Sequence, residues 1–170
     1  MIHDFVLKRV GSDEAEKFFQ LRMRALKTDP DSFVATMEEE KAMWPDGVQN
    51  YLKKNFVLGA FNEKNELIGT LVYMEQERQK FKHIGILGGM YVDTAYRSQG
   101  LGKKLLIKML EELRTFDYLY SLQLKVITTN LPAIRLYESL GFFIWATEKN
   151  ALLDNGKFFD QHHMMKKMSE

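Results

Sequence analysis

The 170-residue sequence contains no cysteine. Disulfide bonds, thiolate metal sites and a cysteine nucleophile are therefore excluded. No stretch approaches the roughly 20 apolar residues that a membrane-spanning helix needs. The opening segment, MIHDFVLKRV, alternates like a strand and lacks the apolar run of a secretory signal. We therefore expect a cytoplasmic protein without a membrane partner.

The charges of the chain are nearly balanced. It has 24 lysine and arginine residues against 23 aspartate and glutamate residues, so no excess positive charge favours a nucleic-acid partner. Repeats, linkers and low-complexity segments are also missing from the sequence. Because a chain of 170 residues can bury a full core, we expect a single domain over residues 1–170.

The strongest pattern lies between Gly88 and Leu113. A strand that ends in Met90, Tyr91 and Val92 leads through a polar loop into a long helix. Polar residues fill one side of this helix. Its apolar residues recur with helical periodicity and mark the buried face: Leu101, Leu105, Leu106, Met109, Leu110 and Leu113.

The loop before this helix is predicted to bind an anion. The first turn of a helix has backbone N–H groups without internal partners, and their dipoles favour negative charge. Gly100 and Gly102 remove the Cβ atoms that would keep an anion away, and Arg97 and Lys103 add positive charge. The pattern indicates a cradle for a pyrophosphate group.

Spacing separates the phosphate-binding motifs that such a loop could belong to. An ATP-type P-loop requires glycine and serine or threonine at positions that Arg97 and Lys104 occupy here. The dinucleotide fingerprint requires a third glycine where Leu105 stands. The remaining pattern is Arg-x-x-Gly-x-Gly. A tight strand-to-helix turn whose glycines serve packing only is the alternative interpretation.

Periodicity and turn residues predict the other elements. Strands are predicted at 3–10, 56–62, 67–77, 81–92, 122–128, 142–147 and 157–168. Helices are predicted at about 13–27, from 36 onward, at about 46–54 and from 130 to a left-handed cap at Gly141, in addition to the central helix.

Three local signals support these boundaries. Ser12 is expected to cap the first helix. Thr36 and Glu39 have the spacing of a capping box. The sequence Asp-Asn-Gly at 154–156 predicts a hairpin turn between the last two strands.

The central segment and a second segment together resemble the GNAT acetyltransferase superfamily. The Arg-x-x-Gly-x-Gly loop is similar to the coenzyme A motif of that superfamily. Residues 130–142 match its pattern Asn-x-x-Ala-x-x-x-Tyr-x-x-x-Gly-Phe, with Asn130 and Tyr137 at the named positions. The order of elements is also similar, and residues 21–40 resemble the start of small bacterial members. The resemblance implies an α/β GNAT fold, in which about four helices flank a mixed, mostly antiparallel sheet of about seven strands.

The resemblance implies a role for the motif residues and acetyl-CoA as cosubstrate, without a metal ion. In this family the strand before the loop carries a bulge, and its free backbone groups pair with the pantetheine arm and polarise the thioester oxygen. Tyr137 is implied to protonate the departing sulfur, with simple core packing as its alternative. The implied coenzyme A-binding residues are Met90, Tyr91, Val92, Arg97, Ser98, Gln99, Gly100, Leu101, Gly102, Lys103, Asn130 and Tyr137.

The general base has no clear candidate in the sequence. Many GNAT enzymes place a glutamate early in the strand before the loop, where this chain has Ile86. Glu75, Glu77 and His83 could act through an ordered water, and each is also typical of a solvated strand or hairpin. His162 and His163 could line the acceptor groove, but their spacing is poor for a metal site.

The acceptor is expected to be an amine on a small molecule, or a protein N-terminus or lysine. The candidate acceptor-site residues are Arg22, Arg24, Glu38, Glu39, Trp44, Tyr73 and Glu75. Their mixed charges fit polyamines, amino acids, drugs or a protein N-terminus. A homodimer is left open. Two other functions also stay open: a non-catalytic coenzyme A-binding regulatory module, and an unrelated phosphate-binding module with a nucleotide ligand.

Overall fold

The computed structural model of the chain describes residues 4–168. Within them lie seven strands: β1 (Phe5–Arg9), β2 (Phe56–Asn62), β3 (Leu67–Glu75), β4 (Ile84–Val92), β5 (Ser121–Ile127), β6 (Phe143–Asp154) and β7 (Lys157–Lys167). The same residues form five α-helices: α1 (Ala15–Thr28), α2 (Met37–Ala42), α3 (Asp46–Lys54), α4 (Leu101–Leu113) and α5 (Leu131–Glu138). None of these helices is long and apolar enough to cross a membrane.

The strands form one sheet in the order β1-β2-β3-β4-β5-β7-β6. All neighbouring pairs are antiparallel except β4 and β5, which run parallel and are connected through α4. The predicted α/β architecture with a mostly antiparallel sheet of seven strands is therefore confirmed. The resemblance implied about four helices, and the described residues form five, because the segment after Thr36 contains both α2 and α3, at the positions predicted from the sequence.

Helices cover both faces of the sheet and enclose two hydrophobic cores. On one face α4 and α5 pack on the middle strands, and the predicted apolar face of α4 is 0–7% exposed. On the other face α1 and α3 pack on β2 and β3, with Tyr91 of β4 in the same core. The apolar stripes of the helices are thus buried on opposite sides of one sheet.

Three predicted local structures are confirmed. The hydroxyl of Thr36 accepts a hydrogen bond from the Glu39 backbone N–H at 3.2 Å, and the Glu39 carboxylate accepts one from the Thr36 N–H at 2.7 Å. Gly141 adopts φ of 87° directly after the α5 region. At the β6–β7 turn, Asn155 and Gly156 have φ of 47° and 77°, as a two-residue hairpin requires.

The start of the first helix differs from the prediction. Residues Ser12–Glu14 form a 3₁₀ turn, α1 begins at Ala15, and Glu14 rather than Ser12 precedes it. The Ser12 side chain makes no cap hydrogen bond within the described residues, because the tighter turn already uses the Gly11 carbonyl as acceptor for the Glu14 N–H at 3.0 Å. Residue 3 of the predicted first strand lies outside the described residues.

Three strand boundaries also differ from the prediction. Strand β4 begins at Ile84 rather than at 81, because Gln79–Phe81 form a 3₁₀ turn after β3, which ends at Glu75. Strand β6 continues to Asp154, well beyond 147, because it pairs with β7 up to the hairpin turn. The polar residues in this extension have no hydrophobic alternation from which a strand could be predicted.

Candidate active site

A cleft of about 720 Å³ opens where β4 and β5 separate. The two strands pair only near their starts, over Ile84–Ile86 opposite Ser121–Gln123. Beyond that point residues 87–92 of β4 form one wall of the cleft and residues 124–127 of β5 form the other. The edge of β4 in this stretch is therefore available to another extended chain.

A β-bulge shapes the β4 wall. Thr70 of β3 is opposite Tyr91 and Val72 is opposite Gly88, so β4 has one residue more than β3 between these pairs. Gly89 takes up the extra residue with φ of 57°, and its carbonyl accepts a hydrogen bond from the Thr70 hydroxyl at 3.1 Å. A Cβ atom on Gly89 would lie 2.8 Å from Cγ2 of Val72. The bulge that the family resemblance implied is present in the structure.

The N-terminus of α4 opens onto the same cleft. Gly100 precedes the helix with φ of 75°, no side chain caps the first turn, and the turn contains no acidic residue. An added Cβ atom on Gly100 would meet nothing within 4 Å. Ser98 is also left-handed, with φ of 61°. Uncapped N–H groups, open space and Lys103 at the cleft wall make this end suited to an anion.

Arg97 is held in position beside that helix end. Its Nη2 donates to the Asp29 carboxylate, and its Nε donates to the Val92 carbonyl at 2.9 Å. Its guanidinium also lies 5.4 Å from the centroid of the Tyr91 ring. The hydrogen bond with Asp29 raises the pKa of Arg97. The remaining N–H groups of the guanidinium can serve a ligand.

Helix α5 brings Asn130 and Tyr137 to the β5 side of the cleft. The Asn130 side-chain oxygen accepts a hydrogen bond from the Ala133 N–H at 3.3 Å and so caps the helix. Tyr137 is 7% exposed, and its ring meets the edge of Phe142 with a centroid separation of 5.9 Å. Burial raises the pKa of the Tyr137 hydroxyl to about 12. The hydroxyl therefore stays protonated at neutral pH.

The structure brings nearly all of the predicted coenzyme A-binding residues to this one cleft. Gln99 does not line it, and its amide lies 3.5 Å from the Ala95 carbonyl. The residues that do line the cleft are Met90, Tyr91, Val92, Arg97, Ser98, Gly100, Leu101, Gly102, Lys103, Asn130 and Tyr137. Their roles remain predictions.

Sequence reasoning missed two groups of cleft residues. Asp29, Ser32 and Phe33 reach the cleft from the segment after α1, and no role at the site was predicted for them. Lys125 and Gln161 belong to β5 and β7. No motif contains them, and strand alternation alone cannot indicate which polar position faces a cleft.

The two arginines predicted for the acceptor site are both in ion pairs. Arg22 of α1 pairs with Glu40 of α2 at 2.9 Å, and both side chains are largely buried. Arg24 pairs with Asp93 at 3.0 Å. Neither arginine lines the cleft. These pairs connect α1 with α2 and with the segment after β4.

The other predicted acceptor residues also lie away from the cleft. Trp44 stacks on Phe19 with ring centroids 4.8 Å apart, and Glu38 is exposed. Tyr73 is 4% exposed inside the core beneath α4, so it does not border an open groove. Glu39 is occupied by the capping box with Thr36.

None of the three candidates for a general base lines the cleft. Glu75 is exposed and lies 4.0 Å from Lys82. Glu77 bonds to Lys54, and this contact lowers the pKa of Glu77. The His83 ring lies 6.4 Å from that of Tyr120. Within residues 4–168, no group of three or more histidines and carboxylates is placed to hold a metal ion.

Comparison with known proteins gives one family match and two curated relatives. A model of the Acetyltransferase (GNAT) family matches residues 15–142. The chain is 29% identical over 99 residues to the L-amino acid N-acetyltransferase AaaT of Escherichia coli K12, a match that covers 58% of this chain and 60% of that protein. It is 48% identical over 65 residues to mycothiol acetyltransferase of Acidothermus cellulolyticus, covering 36% of this chain and 20% of that protein. The match therefore spans less than two thirds of either relative.

Solved structures share the fold over nearly the whole chain. A GNAT-family acetyltransferase from Streptococcus pneumoniae superposes with a TM-score of 0.80 and 25% identity, covering 96% of this chain and 99% of that one. The protein yncA from Salmonella typhimurium, solved with its cofactor acetyl-CoA, gives a TM-score of 0.82 and 19% identity, with 98% and 95% coverage.

Proposed function

Because the chain belongs to the GNAT acetyltransferase family, we propose that it binds acetyl-CoA between β4 and β5 and transfers the acetyl group directly to an amine in a ternary complex. One observation carries the proposal. The free edge of β4 leads directly to an uncapped helix N-terminus, so a single cleft offers strand-like pairing at one end and an anion site at the other.

The residues of the cleft fit acetyl-CoA at both ends. The first-turn N–H groups of α4, with Arg97 and Lys103, match the two phosphates of a pyrophosphate in charge and in hydrogen-bond donors. The bulged edge of β4 offers backbone donors and acceptors to the amide groups of a pantetheine arm. Asn130 is adjacent on the opposite wall, where its amide can donate to the same arm.

The chemistry requires a polarised thioester and a protonated leaving group. Acetyl-CoA supplies the activated acetyl group. A backbone N–H of residues 90–92 is proposed to donate to the thioester oxygen, which polarises the carbonyl carbon toward the amine. Tyr137, whose pKa burial raises to about 12, keeps its proton at neutral pH and can donate to the sulfur as negative charge develops there.

The amine must lose a proton before or during attack. Within the described residues, Asp29 is the sole carboxylate that lines the cleft, and it is bonded to Arg97 near the helix end. Ile86 occupies the position where the resemblance implies a glutamate. We therefore propose that the amine proton leaves through water in the open cleft. The rate should then rise with pH as the acceptor amine loses its proton.

The name of one relative supports an amine as the acceptor. The relative from Escherichia coli is an L-amino acid N-acetyltransferase, and the relative from Acidothermus cellulolyticus is a mycothiol acetyltransferase. An acceptor panel should therefore contain amino acids, together with polyamines and peptides with a free N-terminus. The competing function is a coenzyme A-binding module without turnover, which the isoleucine at 86 favours and Tyr137 in the cleft disfavours.

Release of free thiol from acetyl-CoA tests the proposal. The wild type should release thiol in the presence of at least one amine of the panel and should form the N-acetylated amine in equal amount. Tyr137→Phe keeps the ring packed in the core and removes only the hydroxyl. We expect its turnover to fall at least about tenfold, because general acid catalysis is typically worth about a hundredfold or more and water can replace part of it.

The matched control is Tyr120→Phe, since Tyr120 is 48% exposed and does not line the cleft. This control should retain wild-type turnover. Acetyl-CoA affinity should change by less than about threefold in Tyr137→Phe, since the interaction is made in the transition state. Thiol release by Tyr137→Phe at the wild-type rate would show that Tyr137 only packs in the core. Acetyl-CoA binding without thiol release for any amine would favour the non-catalytic module.

A further inference from the structure

The α-helices of the chain leave one region of the sheet only partly covered, around β5 and β7, where Lys125 is exposed and Gln161 is 7% exposed. Strands β5 and β7 contribute residues such as Leu124 and Met164 to the core beneath α4 and α5. Among the described residues, the second core, beneath α1 and α3, contains none from β5, β6 or β7. The opposite face of these three strands is thus a shelf that begins at the cleft, and Lys125, Gln161 and His163 lie on it.

Register places these three side chains on one face. Lys125 is directly opposite His163 in the β5–β7 pair, and Gln161 is two residues before His163 on β7. Residues directly opposite each other and residues two apart in a strand share a face of the sheet. Lys125 and Gln161 also line the cleft. They stand at the point where the cleft opens onto the shelf.

Gln161 is a buried polar side chain that lacks a partner. It is 7% exposed, and its amide makes no hydrogen bond with any of residues 4–168. The small exposed fraction belongs to a residue that lines the cleft. Its amide atoms are not among the fully buried polar atoms of the described residues, so they face the cleft, where water can bond to them in the free protein. A ligand in the cleft can replace that water.

The charges around Gln161 select the type of ligand. The charged residues that line the cleft are Asp29, Arg97, Lys103 and Lys125. Asp29 is bonded to Arg97, and Lys103 belongs to the first turn of α4. Lys125 is therefore the charged group on the β5 wall, and no carboxylate among the described residues lines the cleft beside it. This part of the cleft is cationic.

The contact with Glu148 leaves the Lys125 ammonium group able to bind a second carboxylate. Its carboxylate lies 2.8 Å from Nε2 of His163 and 3.6 Å from Nζ of Lys125. The His163 contact is the shorter one, and it is the main cause of the lowered pKa of Glu148. Because an ammonium group has three donors and the Lys125 side chain is 56% exposed, it can pair with a second carboxylate.

We propose that the acceptor carries a carboxylate near its amine, and that Gln161 and Lys125 bind it. The Gln161 amide donates to the acceptor, and Lys125 pairs with the acceptor carboxylate, so that the amine faces the thioester carbonyl. The acceptors favoured are of the amino-acid class, and polyamines, which have no carboxylate, are disfavoured. This inference rests on the proposed function, since it assigns the acceptor side of the same cleft.

Matched acceptor pairs test the role of Lys125. L-phenylalanine and 2-phenylethylamine differ only by the carboxylate, as do L-leucine and 3-methylbutylamine. The wild type should favour the amino acid in kcat/KM by about tenfold or more, the discrimination expected from one charge-assisted contact. Lys125→Gln should reduce this ratio to within about threefold. The control Lys149→Gln should keep it, because Lys149 pairs with Asp160 at 2.9 Å outside the cleft.

Gln161→Leu tests the buried amide. Leucine fills similar volume without polar atoms, so the free protein loses no hydrogen bond and its melting temperature should not fall. Acetyl-CoA affinity should also be unchanged, while KM for the amino acid should rise by about tenfold. A purely structural glutamine would instead affect the melting temperature and leave KM alone. A loss of acetyl-CoA affinity would show that Gln161 belongs to the cofactor site, which overturns the inference.

Equal or better use of the amines that lack a carboxylate would also overturn it, as would an unchanged ratio in Lys125→Gln. Failure of the proposed function gives a different result. If acetyl-CoA binds and no amine releases thiol, calorimetry with acetyl-CoA-saturated protein still decides the acceptor class. L-phenylalanine should then bind and 2-phenylethylamine should not. Equal binding of the two would overturn the inference whether or not turnover occurs.

Discussion

At the residue scale, Gly100 determines how closely an anion can approach α4. Its φ of 75° lies in the left-handed region, and an added Cβ atom would meet nothing within 4 Å. The glycine is thus required by backbone conformation and not by crowding. The space beside it is where the proposed pyrophosphate meets the helix N-terminus.

Gly100→Asp should weaken acetyl-CoA binding by at least about tenfold, or about 1.4 kcal/mol. The new carboxylate would occupy the first-turn N–H groups and repel the phosphates. Gly100→Asn is the matched control, because asparagine tolerates the same left-handed conformation and has a similar size without the charge. Calorimetry on both folded variants measures the difference. Equal affinities for the two would contradict the assignment of this loop to the pyrophosphate.

Tyr137 also makes stability depend on alkaline pH. Burial raises its pKa from 10.0 to about 12 in the folded protein, so the native state holds the phenolic proton more tightly than the unfolded chain does. The contribution is fully present below about pH 10 and is lost as pH rises toward about 12. This difference in the pKa of Tyr137 corresponds to roughly 2 to 3 kcal/mol of unfolding free energy.

Denaturant unfolding at several pH values measures this contribution. Between about pH 9 and pH 12 the wild type should lose more unfolding free energy than Tyr137→Phe, which has no phenol to ionise at this position. All other ionisable groups are the same in the two proteins, so their contribution cancels in the difference. Parallel pH curves for the two proteins would contradict a buried Tyr137 hydroxyl.

At the element scale, the bulge in β4 gives the cleft its wall. Gly89 has φ of 57°, and a Cβ atom there would collide with Val72 at 2.8 Å. Gly156 in the β6–β7 turn has a similar φ of 77°, but an added Cβ atom there would meet nothing within 4 Å. Substitutions at these two glycines therefore distinguish the cost of a left-handed backbone from the cost of disturbing the bulge.

Gly89→Ala should therefore destabilise the protein more than Gly156→Ala does. The left-handed conformation costs about 1 kcal/mol or more in both variants, and the collision with Val72 is added only in Gly89→Ala. Acetyl-CoA affinity should fall in Gly89→Ala, because the pairing edge of β4 shifts, and should stay at the wild-type level in Gly156→Ala. Denaturant unfolding and calorimetry give both quantities. Equal effects of the two substitutions would show that the bulge is not needed for binding.

The helices and strands also differ in how well the sequence predicts them. Helix α4 was predictable because a long amphipathic pattern is a strong signal, and its glycine-containing start has a distinct spacing. The bounds of β6 were not predictable, since its outer half has no alternation and is held by pairing with β7. The separation of β4 from β5 is likewise a property of tertiary structure, and only the family resemblance implied it.

The acceptor residues were also hard to predict, because their positions depend on tertiary structure. Arg22 was predicted to border the acceptor, but it bonds to Glu40 between α1 and α2. The residues that do reach the cleft, Lys125 and Gln161, are single polar positions within strands. A sequence does not show which strand edge is left open, so it cannot show which polar residue faces a ligand.

At the scale of the whole molecule, the weakest pairing within the sheet of the described residues is between β4 and β5. These strands pair at three positions and separate after Ile86 and Gln123, whereas every other neighbouring pair is matched at five positions or more. Two hydrophobic cores pack on the opposite faces of the sheet. A ligand that bonds to the free edge of β4 would complete the sheet. If acetyl-CoA binds only the native state, a concentration a hundredfold above its Kd would raise the free energy of unfolding by about 2.7 kcal/mol.

Hydrogen exchange at residues 87–92 with and without acetyl-CoA tests the central claim most directly, because it reports both whether the ligand binds and where. Amides on the edge of β4 that lack a strand partner should exchange much more slowly when acetyl-CoA is present, and so should those of the first turn of α4. Amides of the β6–β7 turn, remote from the cleft, serve as the internal reference. Unchanged exchange at residues 87–92 with saturating acetyl-CoA, or protection confined to another part of the chain, would contradict this account.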